Sequence, residues 1–402
     1  MFSMAALAAF LSLHGGLRAE QPKNPVAIRH VGLFDSVRAV VRPGQTVVIH
    51  GEWIEAVGDD ASVQVPEGSE VIDGTLMTLL PGLIDVHAHL VSSAGIPFIA
   101  SGVTTVRDMG NSMASLLKLK SAWDSGEAIG PWVLMAGPLA TKGYRKAPAV
   151  QSEAQARELI ELYKRKGYLQ IKILDAEPQL VPFIVKKSHE LGMRVGGHVP
   201  RKMRAGAFID DGIDELQHIP YLLENFAPDG LTGSSAAPSG AQLDLSSAPV
   251  IALIDRLRRH DIAVDPTVNV YEVSYGCNAP AYYRAIQELL LLLHNHGVTL
   301  ELGSDRPRAP GRSLLREMEI WAAAGIPAAQ ILRYGTLGNA RILGIDEDRG
   351  SIAPGKRADL VLVRGDPAEA ISDIRRTELV IKSGVLFRIP NVSQLIQRET
   401  QN

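Results

Sequence analysis

The sequence predicts an α/β fold: a (β/α)8 TIM barrel with a small composite β-sandwich domain built from both termini. Two observations predict it. Between residues 83 and 305, short apolar runs alternate with helical stretches, the pattern of a parallel sheet whose crossovers are helices. On either side of that region, alternating runs lie between Gly and Pro breaks with no helix between them, which reads as β structure alone. A doubly wound sheet is the competing fold, and it lacks the Gly-rich phosphate turn expected after its first strand.

Residues 1–24 read as a secretory leader. Ala5 to Leu13 is apolar but too short to span a bilayer, and Leu17-Arg18-Ala19 offers a cleavage site. A periplasmic or secreted protein is then expected. No Lys or Arg precedes the apolar run, so a mis-assigned start or a buried helix, in a cytoplasmic protein, forms the alternative. Residues 25–78 hold the first sandwich segments, including VAIRHVGLFD and TVVIHGEWIEAVG. Residues 347–390, with GSIAPGKRADLVLVRGDP and ELVIKSGVLF, hold the rest, and 391–402 form a tail.

The barrel is expected over 79–346. Its strand candidates are 83–89, 103–109, 131–137, 169–175, 193–199, 213–219, 262–268 and 298–305. Helices are expected over 152–167, 241–261 and 281–297, the second after a Gly/Ser/Pro-rich loop at 229–240.

A chain of 402 residues, 46% hydrophobic and 21% charged, can bury a sizeable core. With 41 basic and 44 acidic residues, a formal charge of −3 and no long basic block, nucleic acid is not an expected partner. No later segment reads as a membrane span. Cys277 is the only cysteine, so an internal disulfide and a Cys-type zinc site are both excluded. A metal would have to be held by His, Asp, Glu or a modified Lys.

Such residues fall on the barrel strands. His87 and His89 end the first, and i, i+2 side chains on a strand share a face. Lys172 lies in the fourth strand, His198 ends the fifth, His218 the sixth and Asp305 the eighth. Barrel enzymes keep their active sites at these C-terminal strand ends. Singly, each has an ordinary explanation: an H-x-H surface pair, a snorkelling lysine, an aspartate capping a turn. Together, on five strands in order, they predict a metal site.

The pieces LLPGLIDVHAHL (79–90), GVTTVRDMG (102–110), IKIL (171–174), GGHVP (196–200), ELQHI (215–219), LGSD (302–305), GNARILGI (338–345) and GSIAPGKRADLVLV (350–363) resemble the amidohydrolase superfamily. The resemblance is to its imidazolonepropionase-like and Xaa-Pro dipeptidase-like branch, over roughly residues 25–390. It implies two divalent ions, zinc by expectation. His87, His89 and Asp305 would bind the more buried one and His198 and His218 the more exposed one, with Lys172 bridging both as an N-carboxylated lysine. It further implies a metal-bridging hydroxide as nucleophile and Asp305 as the catalytic acid/base.

The expected reaction is hydrolysis of an amide or peptide-like C–N bond in a small molecule, an Xaa-Pro dipeptide or N-acyl amino acid. The alternatives are a cyclic-amide hydrolase or deaminase, a lactonase or esterase, and a non-catalytic periplasmic metal-binding protein. The partner is a small substrate, anionic by expectation, with homo-oligomerisation left open. Tyr144 and Arg145, with Lys142, sit in the loop 136–148 and are candidates for substrate binding, as is Tyr221 three residues after His218. Arg306 and Arg308 could add anion affinity. Arg107 and Asp108 read as stabilising the barrel mouth. His189, His260, His294 and His296 read as surface or capping residues, since i and i+2 on a helix face different ways.

Overall fold

The computed structural model describes residues 18–142, 147–224 and 244–389. Six strands precede the barrel: β1 (Arg18–Glu20), β2 (Val26–Asp35), β3 (Val40–His50), β4 (Trp53–Asp59), β5 (Glu70–Asp73) and β6 (Met77–Pro81). Seven form the barrel wall: β7 (Leu83–Ala88), β8 (Val103–Asp108), β9 (Trp132–Ala140), β10 (Gln170–Asp175), β11 (Arg194–Gly197), β12 (Glu215–Gln217) and β13 (Ala263–Asp265). β14 (Leu360–Arg364), β15 (Thr377–Lys382) and β16 (Val385–Arg388) complete the set.

The first six and last three strands share one sheet, ordered β1-β16-β15-β14-β6-β2-β3-β4, with β5 beside β2. β14 runs antiparallel to β6, Leu360 opposite Pro81 and Arg364 opposite Met77. The end of the chain is thereby bonded to the strand that leads into the barrel. Val26, Ile28, Val47 and Leu79 from the first part pack with Leu360, Leu379 and Ile381 from the second in a core of their own. Either segment alone would leave that apolar face in water. Residues 1–17, which carry the apolar run of the expected leader, lie outside the described residues, as does the tail 391–402.

The barrel strands follow in chain order and every pair is parallel. Every residue of β7 and β8 is buried, as expected of parallel strands covered on both faces. The helix Glu153–Arg165 shows how the outer ring attaches. Ser152 caps it, accepting from the Gln155 N–H, and Ala156, Ile160 and Tyr163 form its buried stripe. Tyr163 donates its hydroxyl to the Pro138 carbonyl at 2.9 Å and its ring lies against Gly137, where a Cβ would sit 2.5 Å from the ring. Burying each of the larger stripe residues contributes about 1.5–3 kcal/mol.

Three expectations are corrected, two of them in the elements themselves. Residues 298–305 form no regular strand, although they close the ring. The Val264 N–H donates to Thr299 O at 2.9 Å and the Glu301 N–H to Val264 O at 2.8 Å, while the Asp305 N–H donates to His87 O at 2.7 Å. Asp305 has φ 46°, a left-handed turn that cuts the ladder short. The helix expected over 241–261 begins only at Ala248. Asp244 accepts from the Ser246 N–H and hydroxyl, a local turn that competes with helix.

Arg107 is the third difference. It lies in β8 and turns into the barrel interior, fully buried. It donates to Glu215, Glu301 and Gln170 and to the Val86 carbonyl, at 2.7–2.9 Å. The direction a strand side chain takes, inward or upward, is not encoded by its neighbours in sequence. Asp108 does hold the mouth, accepting from the N–H groups of Leu90, Gly110 and Asn111.

Candidate metal centre

His87 lies in β7 and is fully buried; His89 follows the strand with 27% of its side chain exposed. Lys172 sits in β10 opposite Gly196 of β11 and is 1% exposed. His198 directly follows β11, its N–H donating to Ile173 O at 2.9 Å. Gly197 before it has φ 147°, and a Cβ there would stand 2.0 Å from the Ile173 carbonyl oxygen. Only glycine permits that approach. His218 directly follows β12 with φ 69°.

These side chains converge. The Asp305 carboxylate lies 3.0 Å from His89 Nε2, 3.5 Å from His87 Nε2 and 3.9 Å from His218 Nε2. His218 and His198 meet Nε2 to Nε2 at 3.1 Å. Lys172 Nζ is 2.9 Å from His87 Nε2. One donor atom each from His87, His218 and Asp305 falls within 4.8 Å of the others, a set that could hold a metal ion. His218 and Asp305 keep left-handed backbones, as does Thr267 at φ 47°. Each costs on the order of 1–3 kcal/mol, borne by the surrounding structure.

Burial pushes the His218 imidazole down to about 4, against the pull of Asp305. Burial, reinforced by neighbouring cations, holds His87 and His198 well below the usual histidine range. All three present unprotonated nitrogens near neutral pH. Burial lowers Lys172 to about 8. For Asp305 burial acts upward, but the surrounding imidazoles outweigh it and keep the carboxylate ionised.

The sequence from 78 to 386 matches the model of the Amidohydrolase family. The chain belongs to that family. Among curated proteins it is similar to adenine deaminase 3 of Rhizobium meliloti, 23% identical over 86% of this chain but only 56% of the deaminase's length. It is also similar to the imidazolonepropionase of an Anaeromyxobacter species, 27% identical over 80% of this chain and 84% of that protein. The structure of a Xaa-Pro dipeptidase with bound methionine superposes with a TM-score of 0.74 at 22% identity, covering 91% of this chain and all of that one. At that identity the likeness speaks for the fold.

The amidohydrolase thus brings together all of the residues expected at its centre: His87, His89, Lys172, His198, His218 and Asp305. Tyr221 lies beside them in the short helix Pro220–Glu224, its ring 5.9 Å from His198 and 6.2 Å from His218. Tyr144 and Arg145 lie outside the described residues. Lys142 and Arg308 are exposed, and Arg306 is half-buried. His260 and His296 are helix C-caps, and His189 pairs with Asp214 at the surface. His294 is instead half-buried and bonded to the Tyr334 hydroxyl at 3.0 Å.

Three residues escaped the sequence reading. Asp265 Oδ2 lies 2.5 Å from His87 Nδ1. The Thr267 hydroxyl lies 2.8 Å from His218 Nδ1 and donates to Pro266 O. Glu317 accepts from the backbone N–H groups of Val268 and Asn269. The only sequence signal was two polar residues flanking a proline at the end of the seventh strand, in VDPT.

Proposed function

We propose that this amidohydrolase is a metal-dependent enzyme that cleaves an amide or peptide-like C–N bond of a small molecule. The supporting observation is the convergence of His87, His218 and Asp305 within 4.8 Å, with His89, His198 and Lys172 around them. His87, His89 and Asp305 would hold one divalent ion and His198 and His218 a second, with N-carboxylated Lys172 shared between them. Neutral imidazoles with carboxylate oxygens suit zinc. The charge balance fits as well. Asp265 is pushed well above the usual carboxylate range by its burial and then by Glu215 and Glu301. Burial, with help from Glu215, pushes Glu301 up to about 7. Cations held by the converging histidines and Asp305 would offset this excess of buried carboxylates.

When bound, the ions supply Lewis acidity, polarising a carbonyl and acidifying water. The chain's own residues do the rest. Asp305 keeps 17% of its side chain exposed, accepts a proton from the attacking water and returns it to the leaving nitrogen. Tyr221, beside the more open His198, flanks the scissile group. Xaa-Pro dipeptides and N-acyl amino acids are the substrates we put first, supported by the likeness to the Xaa-Pro dipeptidase structure. Lys172 beside His87 favours this over a deaminase centre, which has no use for a bridging lysine.

The test is metal analysis of purified protein with a screen of Xaa-Pro dipeptides and N-acyl amino acids. About two ions per chain and hydrolysis that is lost on chelation and restored by zinc are expected. Protein that takes up no metal from zinc-replete medium overturns the proposal.

A further inference from the structure

We infer that Asp265 is a positioning residue for His87: it fixes the imidazole as the tautomer whose Nε2 lone pair faces the centre. The inference rests on the metal-site reading above.

His87 is sealed from solvent and touched at both ring nitrogens. Lys172 Nζ approaches Nε2 at 2.9 Å. As an ammonium, Lys172 has three donors and no acceptor, so Nε2 is the acceptor. The ring proton then sits on Nδ1 and is donated to Asp265 Oδ2 at 2.5 Å. Both side chains are 0% exposed, so no water competes for either end. The other oxygen of Asp265 has no hydrogen-bond partner among the described residues. It faces Gly303, where a Cβ would stand 2.6 Å from Asp265 Oδ1 and 2.6 Å from the His87 Cβ. Asp265 is thus held between the seventh strand and the closing segment with one bond to make, and that bond is to His87.

His218 differs in kind. Its Nδ1 meets the Thr267 hydroxyl, a neutral group. A carboxylate behind an imidazole raises the basicity of the far nitrogen more than a hydroxyl does, and such partners commonly govern metal affinity 10–100-fold. The position built on His87, His89 and Asp305 is therefore the tighter of the two, and Asp265 is what makes it so.

The experiment titrates metal-free wild type, Asp265→Asn and Asp265→Ala with zinc alone against a chromophoric chelator. Thermal unfolding of each metal-free protein is followed in parallel. Asp265→Asn keeps a carbonyl acceptor but no charge, and Asp265→Ala keeps neither. The tighter zinc step is expected to weaken about 10–100-fold in Asp265→Asn and further in Asp265→Ala. Ser188→Ala, on the helix Val181–Glu190 with its hydroxyl bonded to the Ile184 carbonyl and remote from the site, leaves zinc affinity within threefold of wild type even if it lowers the melting temperature. Nitrogen chemical shifts of His87 in the metal-free wild type are expected to report the proton on Nδ1. Wild-type zinc affinity in both Asp265 variants, or the proton on Nε2, overturns the inference. If wild type itself takes no zinc, the metal-site reading fails and this inference with it. Should Asp265→Ala not fold, Asp265→Asn and the His87 shifts decide.

Discussion

The Asp305 backbone N–H donates to the His87 carbonyl at 2.7 Å, joining the closing segment to the first barrel strand where both carry site residues. This anchor belongs to the backbone and leaves the side chain free for chemistry. Asn keeps the size of Asp305 and tolerates its left-handed φ, so Asp305→Asn is expected to fold. Removing a proton carrier costs 10²–10⁴-fold, and kcat should fall at least about 1,000-fold because a ligand charge goes too. The melting temperature of the metal-free protein should stay within a few degrees of wild type. Near-full activity in Asp305→Asn contradicts the role assigned to it.

A second expectation concerns Glu317, fully buried on the helix Arg312–Ala323. Its carboxylate accepts from Val268 N, Asn269 N, Asn269 Nδ2 and Trp321 Nε1, all at 2.6–2.8 Å. These bonds fix the turn that starts at Thr267, and Thr267 holds His218. Asn269 Nδ2 also donates to the Ser304 carbonyl beside Asp305. In Glu317→Gln one acceptor becomes an amide donor facing N–H groups. Urea unfolding should show a loss of about 2–4 kcal/mol, the cost of buried donors left unpaired, and kcat should fall with it. An unchanged midpoint would falsify the bracing role.

Periodicity and residue type carried the architecture and the candidate ligands that the fold brings together, because both are local. Strand ends such as VHAH and GGHV are written contiguously, and parallel order then brings them to one rim. What holds those residues was not legible. Asp265 meets His87 across 178 positions of chain, and Glu317 reaches Asn269 across 48. No local pattern separates them from any buried acid on a strand or helix. Arg107 shows the same limit in reverse. Its place at a strand end suggested the mouth, yet the acids that claim it, Glu215 and Glu301, line the interior.

Lys382 gives the pH dependence. It lies in β15, its Nζ 4.5 Å from the centre of the Trp132 ring and donating to the Trp123 carbonyl. Burial, partly offset by Asp359, lowers it from 10.5 to about 8. The folded protein therefore gives up this proton at lower pH than the unfolded chain. Between about pH 8 and 10.5 the unfolded state binds more protons, so Lys382 makes stability rise with pH across that window. Below pH 8 the buried charge is a net cost. Lys382→Met is expected to be the more stable protein at pH 7, with a margin that shrinks as pH climbs toward 10. Urea unfolding of both proteins at four pH values checks this; a margin that widens with pH refutes it.

Lys172 carries the last prediction. Its nitrogen is buried among the imidazoles that should receive a cation, where an ammonium would repel that cation. Carbamylation reverses the sign. The amine attacks the carbon of CO₂, an N–C bond forms, one C=O pair becomes a carboxylate oxygen, and the displaced N–H proton leaves. The product offers two anionic oxygens where the amine offered one nitrogen. Metal-depleted wild type reconstituted with zinc should therefore recover several-fold more activity in bicarbonate than in buffer stripped of CO₂. Lys172→Arg keeps the charge but forms no stable carbamate and should recover little in either. Equal recovery of wild type with and without bicarbonate would mean that Lys172 serves the centre as an amine, and that the surplus of buried carboxylates beneath it is balanced by metal ions alone.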